Sequence, residues 1–171
     1  MRHLREDGSQ IQVLTFGRRL EDNGSSAVIM AIVDVTERLH AEAELHRTQK
    51  FLDAVVESMP AMLVVKEARH HRFVLINKAG EDLLGVTRDE MIGKNDYGFF
   101  PKEQSDFFAE CDREVLRKRE IQIIPEELVQ TRHNGTRLLA TKKLAIQDDA
   151  GEPQFLLLMS EDITERRAAE T

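Results

Sequence analysis

The side chains able to do chemistry are few in this chain and poorly grouped. Cys111 is its single cysteine, so no intrachain disulfide framework exists, and a small buried thiol suits it better than a reactive one. His70 and His71 adjoin each other with no third metal ligand near them in sequence, which reads as a solvated pair at a turn. Asp148-Asp149 and Glu126-Glu127 place carboxylates side by side. General acid/base work needs two carboxyl groups held in different environments, and adjacent charges of this kind read instead as loop and exposed-strand residues. The chain has no glycine-rich phosphate loop, no Gly-x-Ser-x-Gly elbow, no His-Glu-x-x-His and no paired-cysteine metal spacing. An enzyme on a small α+β scaffold therefore stands as a reading without a nucleophile or a metal constellation to carry it.

What the sequence does repeat is a phrase. Asp34-Val35-Thr36-Glu37-Arg38 returns as Asp162-Ile163-Thr164-Glu165-Arg166, and each copy follows a short apolar run, 27–33 and 155–159. At both places a strand hands over to a helix, so one structural unit is used twice, whole in the second copy and partial in the first. Asp162 and Thr164 each have an oxygen able to accept from the free amides at a helix start, and Glu165 suits the positive end of the helix dipole. A plain helix cap and a signal-transmitting joint would use the same residues.

Composition sets the outer bounds. The chain has 171 residues, 41% hydrophobic and 32% charged, as expected for a soluble globular domain with extensions. A net charge of -7 gives no basic excess for nucleic acid, which is not expected as a partner. The amino terminus lacks the apolar segment of a secretory signal, and the longest apolar run, 27–33, is too short to cross a bilayer. Cytoplasmic residence without direct membrane insertion is the expectation.

Residues 9–20 and 27–33 read as two strands joined by the turn Asp22-Asn23-Gly24. A lone hairpin is marginal in water, so residues 1–36 read as the closing strands of a preceding domain whose beginning is absent. Residues 37–58 contain no glycine or proline and are rich in Ala, Glu, Leu, Arg and Gln, which predicts a long linker helix. Leu45, Leu52 and Met59 fall seven apart, as do Ala41, Thr48 and Val55, giving an imperfect seam along which two helices can pair. Alternatively Leu52, Val55, Val56 and Met59 cover the domain that follows. Beyond Pro60 the pattern predicts strands at 62–67 and 72–77, short helices at 78–84 and 88–92, and a helix at 102–119 opened by Pro101. Phe107, Phe108, Cys111 and Val115 lie on one stripe of it. Strands at 121–131, 136–147 and 154–162 close the unit, with Asn134-Gly135 as a tight hairpin turn. Hairpins at both ends with helices between them argue for an antiparallel sheet covered on one face, an α+β fold.

The element order, Leu75-Ile76-Asn77-Lys78-Ala79 running into Leu83-Leu84-Gly85, the stretch Ile92-Gly93-Lys94-Asn95-Asp96-Tyr97 before Phe99-Phe100-Pro101, and the Asp-Ile-Thr-Glu-Arg ending together resemble a PAS domain over residues 52–166. The resemblance implies a five-stranded antiparallel sheet with helices on one face, and a sensory or relay module of the kind found in bacterial histidine kinases and cyclic-di-nucleotide enzymes. It implies no catalysis by this stretch itself, an output domain in the same polypeptide beginning with 167–171, and transmission through Asp162, Ile163, Thr164, Glu165 and Arg166. Asp34 and Thr36 are their counterparts in the first copy.

The same resemblance bears on cofactors. Flavin-binding photosensors of the family resemble Gly-x-Asn-Cys-Arg-Phe-Leu-Gln where this chain has Gly93-Lys94-Asn95-Asp96-Tyr97-Gly98-Phe99-Phe100, so Asp96 stands in place of the adduct-forming cysteine. A haem-binding branch takes a histidine from the long helix, and 102–119 has none. Neither flavin adduct nor haem is expected, and no other cofactor is predicted. His40 and His46 lie on the linker helix, but phosphoaccepting histidines of kinases resemble His-Glu followed by an apolar residue and a base, and neither site matches.

A small unidentified ligand remains the alternative to a pure relay. With one face of each strand buried, either Leu63 and Val65 or Met62 and Val64 face the core, joined by Leu138, Ala140, Phe155 and Leu157. Asn77, Tyr97 and Cys111 would add polar contacts, so the pocket candidates are Asn77, Tyr97, Cys111, Leu138 and Phe155. The preferred reading is a relay that forms a homodimer through Leu45, Leu52 and Val55.

Overall fold

In the computed structural model the described residues are 2–22 and 25–170, and they divide into two compact units, Met1–Asp53 and Ala54–Thr171. The turn expected at Asp22-Asn23-Gly24 has Asn23 and Gly24 outside the described residues.

The first unit carries strands β1 (Arg2–Leu4), β2 (Gln10–Asp22) and β3 (Ser25–Asp34), paired antiparallel in the order β1-β2-β3. Only two strands are expected from the sequence there. The third, Arg2–Leu4, is three residues long and has no alternation to reveal it, and pairing with β2 is what makes it a strand. Helix α1 (Thr36–Ser58) follows and runs across the boundary between the units. None of its residues is buried, and Leu45, Phe51, Leu52 and Val55 are exposed.

The second unit is built on a five-stranded antiparallel sheet in the order β5-β4-β8-β7-β6. Its strands are β4 (Met62–Glu67), β5 (Phe73–Ile76), β6 (Gln122–Gln130), β7 (Thr136–Gln147) and β8 (Pro153–Asp162). Between β5 and β6 come α2 (Lys78–Leu84), α3 (Arg88–Met91), a 3-10 turn at Asp96–Gly98 and α4 (Lys102–Lys118), and α5 (Thr164–Ala169) ends the chain. Among the described residues no helix is long and apolar enough to cross a membrane.

Local chemistry explains where the helices stop and start. Asn77 caps α2 by accepting from the Gly80 amide, and Gly85 closes it at φ 71, a left-handed conformation open to glycine at little cost. Thr87 and Glu90 form a reciprocal capping box on α3. The Thr87 amide and the Arg132 guanidinium hold the Glu90 carboxyl down at about 2. Helix α4 opens at Pro101 and ends at Arg119, with Glu103 in its first turn and Arg117 and Lys118 in its last, each sign matching the helix dipole. The link between β6 and β7 is longer than the tight Asn134-Gly135 turn expected. Gln130 pairs with Thr136, and residues 131–135 form a five-residue loop held by Thr131 Oγ1 donating to the Gly135 carbonyl at 2.7 Å.

The helices cover one face of this sheet. Its core brings together Met62, Val64, Phe73, Ile76, Leu84, Met91, Phe108, Val115, Leu139, Leu156 and Leu158. Of the two registers open for β4, Met62 and Val64 face inward. On β7 and β8 the inward set is Leu139, Thr141, Lys143, Leu156, Leu158 and Ser160, so the expected Leu138, Ala140, Phe155 and Leu157 lie on the opposite face. The expectation is one residue out of step because the true inner face carries Thr141, Lys143 and Ser160 and reads as a wet one.

Packing is tight where α2 meets the sheet. A Cβ on Gly80 would lie 2.7 Å from Ile76 Cγ1 and 3.0 Å from Met62 Cγ, both core side chains. Gly80→Ala is expected to gain about 1 kcal/mol in helix propensity and lose about 1–3 kcal/mol to overpacking. A net destabilisation of about 1 kcal/mol is expected in urea unfolding, and a rise in the unfolding midpoint would contradict the close approach.

Candidate functional site

Two lysines lie in the core of the second unit. Lys66 and Asp96 are buried, as are Asp112 and Lys143, and they come from β4, the 3-10 turn, α4 and β7 in that order. Lys66 Nζ donates to Asp96 Oδ2 at 2.6 Å and to Asp112 Oδ2 at 2.8 Å, while Lys143 Nζ donates to Asp112 Oδ1 at 2.7 Å. Both ammonium groups also sit over aromatic faces, Lys66 at 5.2 Å from the Phe73 ring centroid and Lys143 at 5.6 Å from that of Phe108.

These contacts set the charge states. Burial alone would raise the Asp112 carboxyl, but the positive charges of Lys66 and Lys143 outweigh it and hold Asp112 below the usual carboxylate range. Burial likewise works against the Lys66 ammonium, and Asp112 and Asp96 overcome it, leaving Lys66 above its usual value. His71, half-buried nearby, is pushed down chiefly by desolvation.

A hydroxyl chain adjoins the ions. Thr141 Oγ1 and Ser160 Oγ lie 2.8 Å apart, and Thr141 Oγ1 donates to Glu127 Oε1. The second Glu127 oxygen is buried with no hydrogen-bond partner among the described residues. These groups and the apolar side chains Met62, Val64, Phe73, Phe100, Phe108 and Leu158 line a cavity of about 40 Å³. At about 10–15 Å³ per water position, that space holds roughly three waters.

None of the five pocket candidates lines this cavity. Asn77 is fully buried but already saturated. Its Oδ1 accepts from the amides of Leu63 at 2.9 Å and Gly80 at 3.0 Å, and its Nδ2 donates to the carbonyls of Val56 at 3.1 Å and Ala61 at 2.9 Å. It ties the last turn of α1 to the head of β4 and the start of α2. Glu57 reinforces that tie by accepting from the Lys78 amide and from Arg88 Nη2. Tyr97 is exposed and donates to Asp106 Oδ1 at 2.6 Å. Cys111 is buried on α4, and burial pushes its thiol up. Leu138 and Phe155 stand on the far face of the sheet.

The ion set is what sequence reasoning missed, although signals for it exist. Asp112 falls four residues after Phe108 and three before Val115, on the apolar stripe of α4, and Lys66 continues the inward alternation of Met62 and Val64. A charge in step with a buried face is the mark of a buried ion.

The repeated phrase forms the same joint twice. Thr164 N and Oγ1 donate to Asp162 Oδ1 at 3.0 and 2.5 Å, the Leu138 amide donates to Thr164 Oγ1 at 2.9 Å, and the Ile163 amide donates to the Leu138 carbonyl at 2.9 Å. In the first copy Thr36 N and Oγ1 donate to Asp34 Oδ1 at 3.0 and 2.6 Å. The Gln12 amide donates to Thr36 Oγ1 at 2.8 Å, and the Val35 amide to the Gln12 carbonyl at 2.8 Å. The threonine is thus not a helix cap in either copy. Its hydroxyl oxygen accepts from the neighbouring strand and stitches the helix start to the sheet. Glu165 lies in the first turn of α5, and Arg166 Nη1 comes within 4.0 Å of Glu161.

Removing Asp112 strands Lys143, which touches no other carboxylate among the described residues. Asp112→Ala is expected to cost about 3–5 kcal/mol, and Asp112→Leu with Lys143→Met, which leaves the Lys66–Asp96 pair intact, to recover most of that loss. Because Asp112 is depressed in the folded state, its stabilisation is complete above an unfolded carboxyl value of about 4 and is lost as pH falls through the folded one. Urea unfolding against pH checks both statements: the double variant should lose less stability on acidification than the native chain.

Comparison with known proteins adds a family to this geometry. The sequence model described as the PAS fold matches residues 56–168. An uncharacterized protein, y4lL, of Sinorhizobium fredii is 29% identical over 119 residues, which is 69% of this chain and 14% of the relative's length. The chain thus spans about a seventh of that relative. Among solved structures, the PAS domain of an HTR-like protein from Haloarcula marismortui is similar with a TM-score of 0.60 at 21% identity, covering 72% of this chain and 98% of its own. The PAS domain of Bordetella pertussis BvgS is similar with a TM-score of 0.59 at 23% identity, covering 72% and 92%.

Proposed function

This chain belongs to the PAS family, whose members are sensory modules and generally non-catalytic, and from that premise we propose that it is a non-enzymatic relay within a larger bacterial signalling polypeptide. The observation that carries this reading is the joint at Asp162–Thr164. It anchors α5 to β7 through two hydrogen bonds at Leu138, next to Leu139 in the cavity wall. A shift of the strands around the buried ions therefore has a short, hydrogen-bonded route to the helix that leaves the domain. The far greater length of the Sinorhizobium relative supports a place inside a longer polypeptide. We take the output to be a histidine kinase of two-component type or a cyclic-di-nucleotide enzyme, acting in the cytoplasm.

The same reading makes α1 the dimer helix. Leu45, Leu52 and Val55 are all exposed on it, so the seam expected from seven-residue spacing is free to meet a second copy. The module works without a flavin adduct or a haem. Asp96, in the position of the adduct cysteine, is bound to Lys66, and a cavity of about 40 Å³ is far below the size of such groups.

A second reading, sensing of a small molecule, rests on the same cavity, which without rearrangement admits a molecule of only a few non-hydrogen atoms. Native mass spectrometry of the purified chain separates it from a pure relay, since added mass on the folded protein is expected only if a ligand is carried.

Sedimentation equilibrium tests the dimer. The native chain is expected to dimerise, and Leu45→Glu or Leu52→Glu to weaken association at least tenfold, about 1.4 kcal/mol. A native chain that stays monomeric, or variants that dimerise as well as it does, would defeat pairing through α1.

A further inference from the structure

The N-terminal unit repeats more than the joint. Val13 pairs with Asp34 where Leu139 pairs with Asp162, a shift of 126 residues on one strand and 128 on its partner. The longer turn between β7 and β8 and a register shift at Ile146 and Gln147 absorb the difference. The third strand obeys the same shift of 126. His3 pairs with Ile11 and Leu4 with Gln10, as Val129 pairs with Arg137 and Gln130 with Thr136. Even the connecting loop corresponds, since the Arg5 amide donates to the Ser9 carbonyl at 2.8 Å and the Thr131 amide to the Gly135 carbonyl at 3.0 Å. So β1, β2 and β3 reproduce β6, β7 and β8 in order, pairing and exit.

The difference lies in what covers them. On the inner face of the second unit, Leu156, Leu158 and Ser160 are 0%, 9% and 2% exposed beneath the helices and beside β4. Their counterparts by the shift of 128 are Val28, Met30 and Ile32, which are 62%, 60% and 57% exposed. A contiguous apolar face of this kind left open to water marks a contact surface.

We propose that the face centred on Val28, Met30 and Ile32 is the uncovered core of a second PAS fold, and that its occupant is the helical layer and first two strands of that fold, supplied by the same polypeptide. The occupant is identified by correspondence: each bare residue has a buried counterpart whose cover is known. The match of β1 and its loop sets this above a chance hairpin, because strand pairing and joint agree. Helix α1 then leaves one PAS fold as its output helix and enters the next as its input, tied there by Asn77 and Glu57. This inference does not depend on dimerisation through α1.

Thiol labelling tests it, in a Cys111→Ser background, with Met30→Cys on the inner face and Ile29→Cys on the outer. In the natural full-length polypeptide, Met30→Cys should react at least tenfold more slowly than in the 171-residue chain, with Ile29→Cys slowed less. Hydrogen exchange of the unsubstituted proteins gives a second readout, with β2 and β3 amides protected in the full polypeptide to the level of β7 and β8. Equal labelling rates in the two proteins would overturn the proposal. So would protection in the 171-residue chain that grows with protein concentration, which would make a second copy the occupant, or a natural polypeptide with no chain preceding Met1.

Discussion

The second unit depends on burying two lysines at once. Each ammonium taken from water costs several kcal/mol unless a carboxylate meets it, and Asp112 meets both, one oxygen to each. Because Lys66 lies on β4 and Lys143 on β7, with β8 between them, this one side chain bridges α4 to strands that are not neighbours. Apolar contacts such as those of Phe108 and Val115 would tolerate some sliding of the helix over the sheet. Two ion contacts at 2.7 and 2.8 Å do not, so the charges set the height and rotation of α4 where greasy packing would leave them loose.

The same arrangement places the exits of the domain near the ions. Strands β7 and β8 carry Lys143, Thr141 and Ser160 inward, and Leu138 near the start of β7 and Asp162 at the end of β8 are the residues that hold α5. Strand β4 carries Met62, Val64 and Lys66 inward, and the alternate amide at Leu63 is bonded to Asn77, which holds the end of α1. Both helices are therefore tied to strands whose inner faces meet the charge cluster. Each joint lies three residues along a strand from an inward polar side chain, Leu63 from Lys66 and Leu138 from Thr141.

Much of this was legible in the sequence. The strands and longer helices of the second unit lie within a residue or two of their expected bounds, because proline, glycine and turn residues punctuate them clearly. The sheet's inner face was not legible on β7 and β8, and the reason is physical. Leu138, Ala140, Phe155 and Leu157 look like a core stripe, while the true one contains lysine, threonine and serine that only tertiary partners make tolerable indoors. Asn77 was singled out for its polarity, yet its four hydrogen bonds are spent on backbone from three elements, which a linear reading has no means of seeing. Arg2–Leu4 escaped because three residues have no period.

The repeated Asp-x-Thr phrase shows how a short motif acquires meaning from a partner outside itself. Five residues of this kind recur easily, and a helix start alone would explain the aspartate. The threonine is different, since its oxygen accepts from an amide 24 residues earlier in one copy and 26 earlier in the other. That contact requires an antiparallel strand laid beside the joint, and in both copies the strand's next residue, Val13 or Leu139, is buried. The motif therefore specifies a hairpin, a buried position and a helix direction together. In this chain both copies come with those companions.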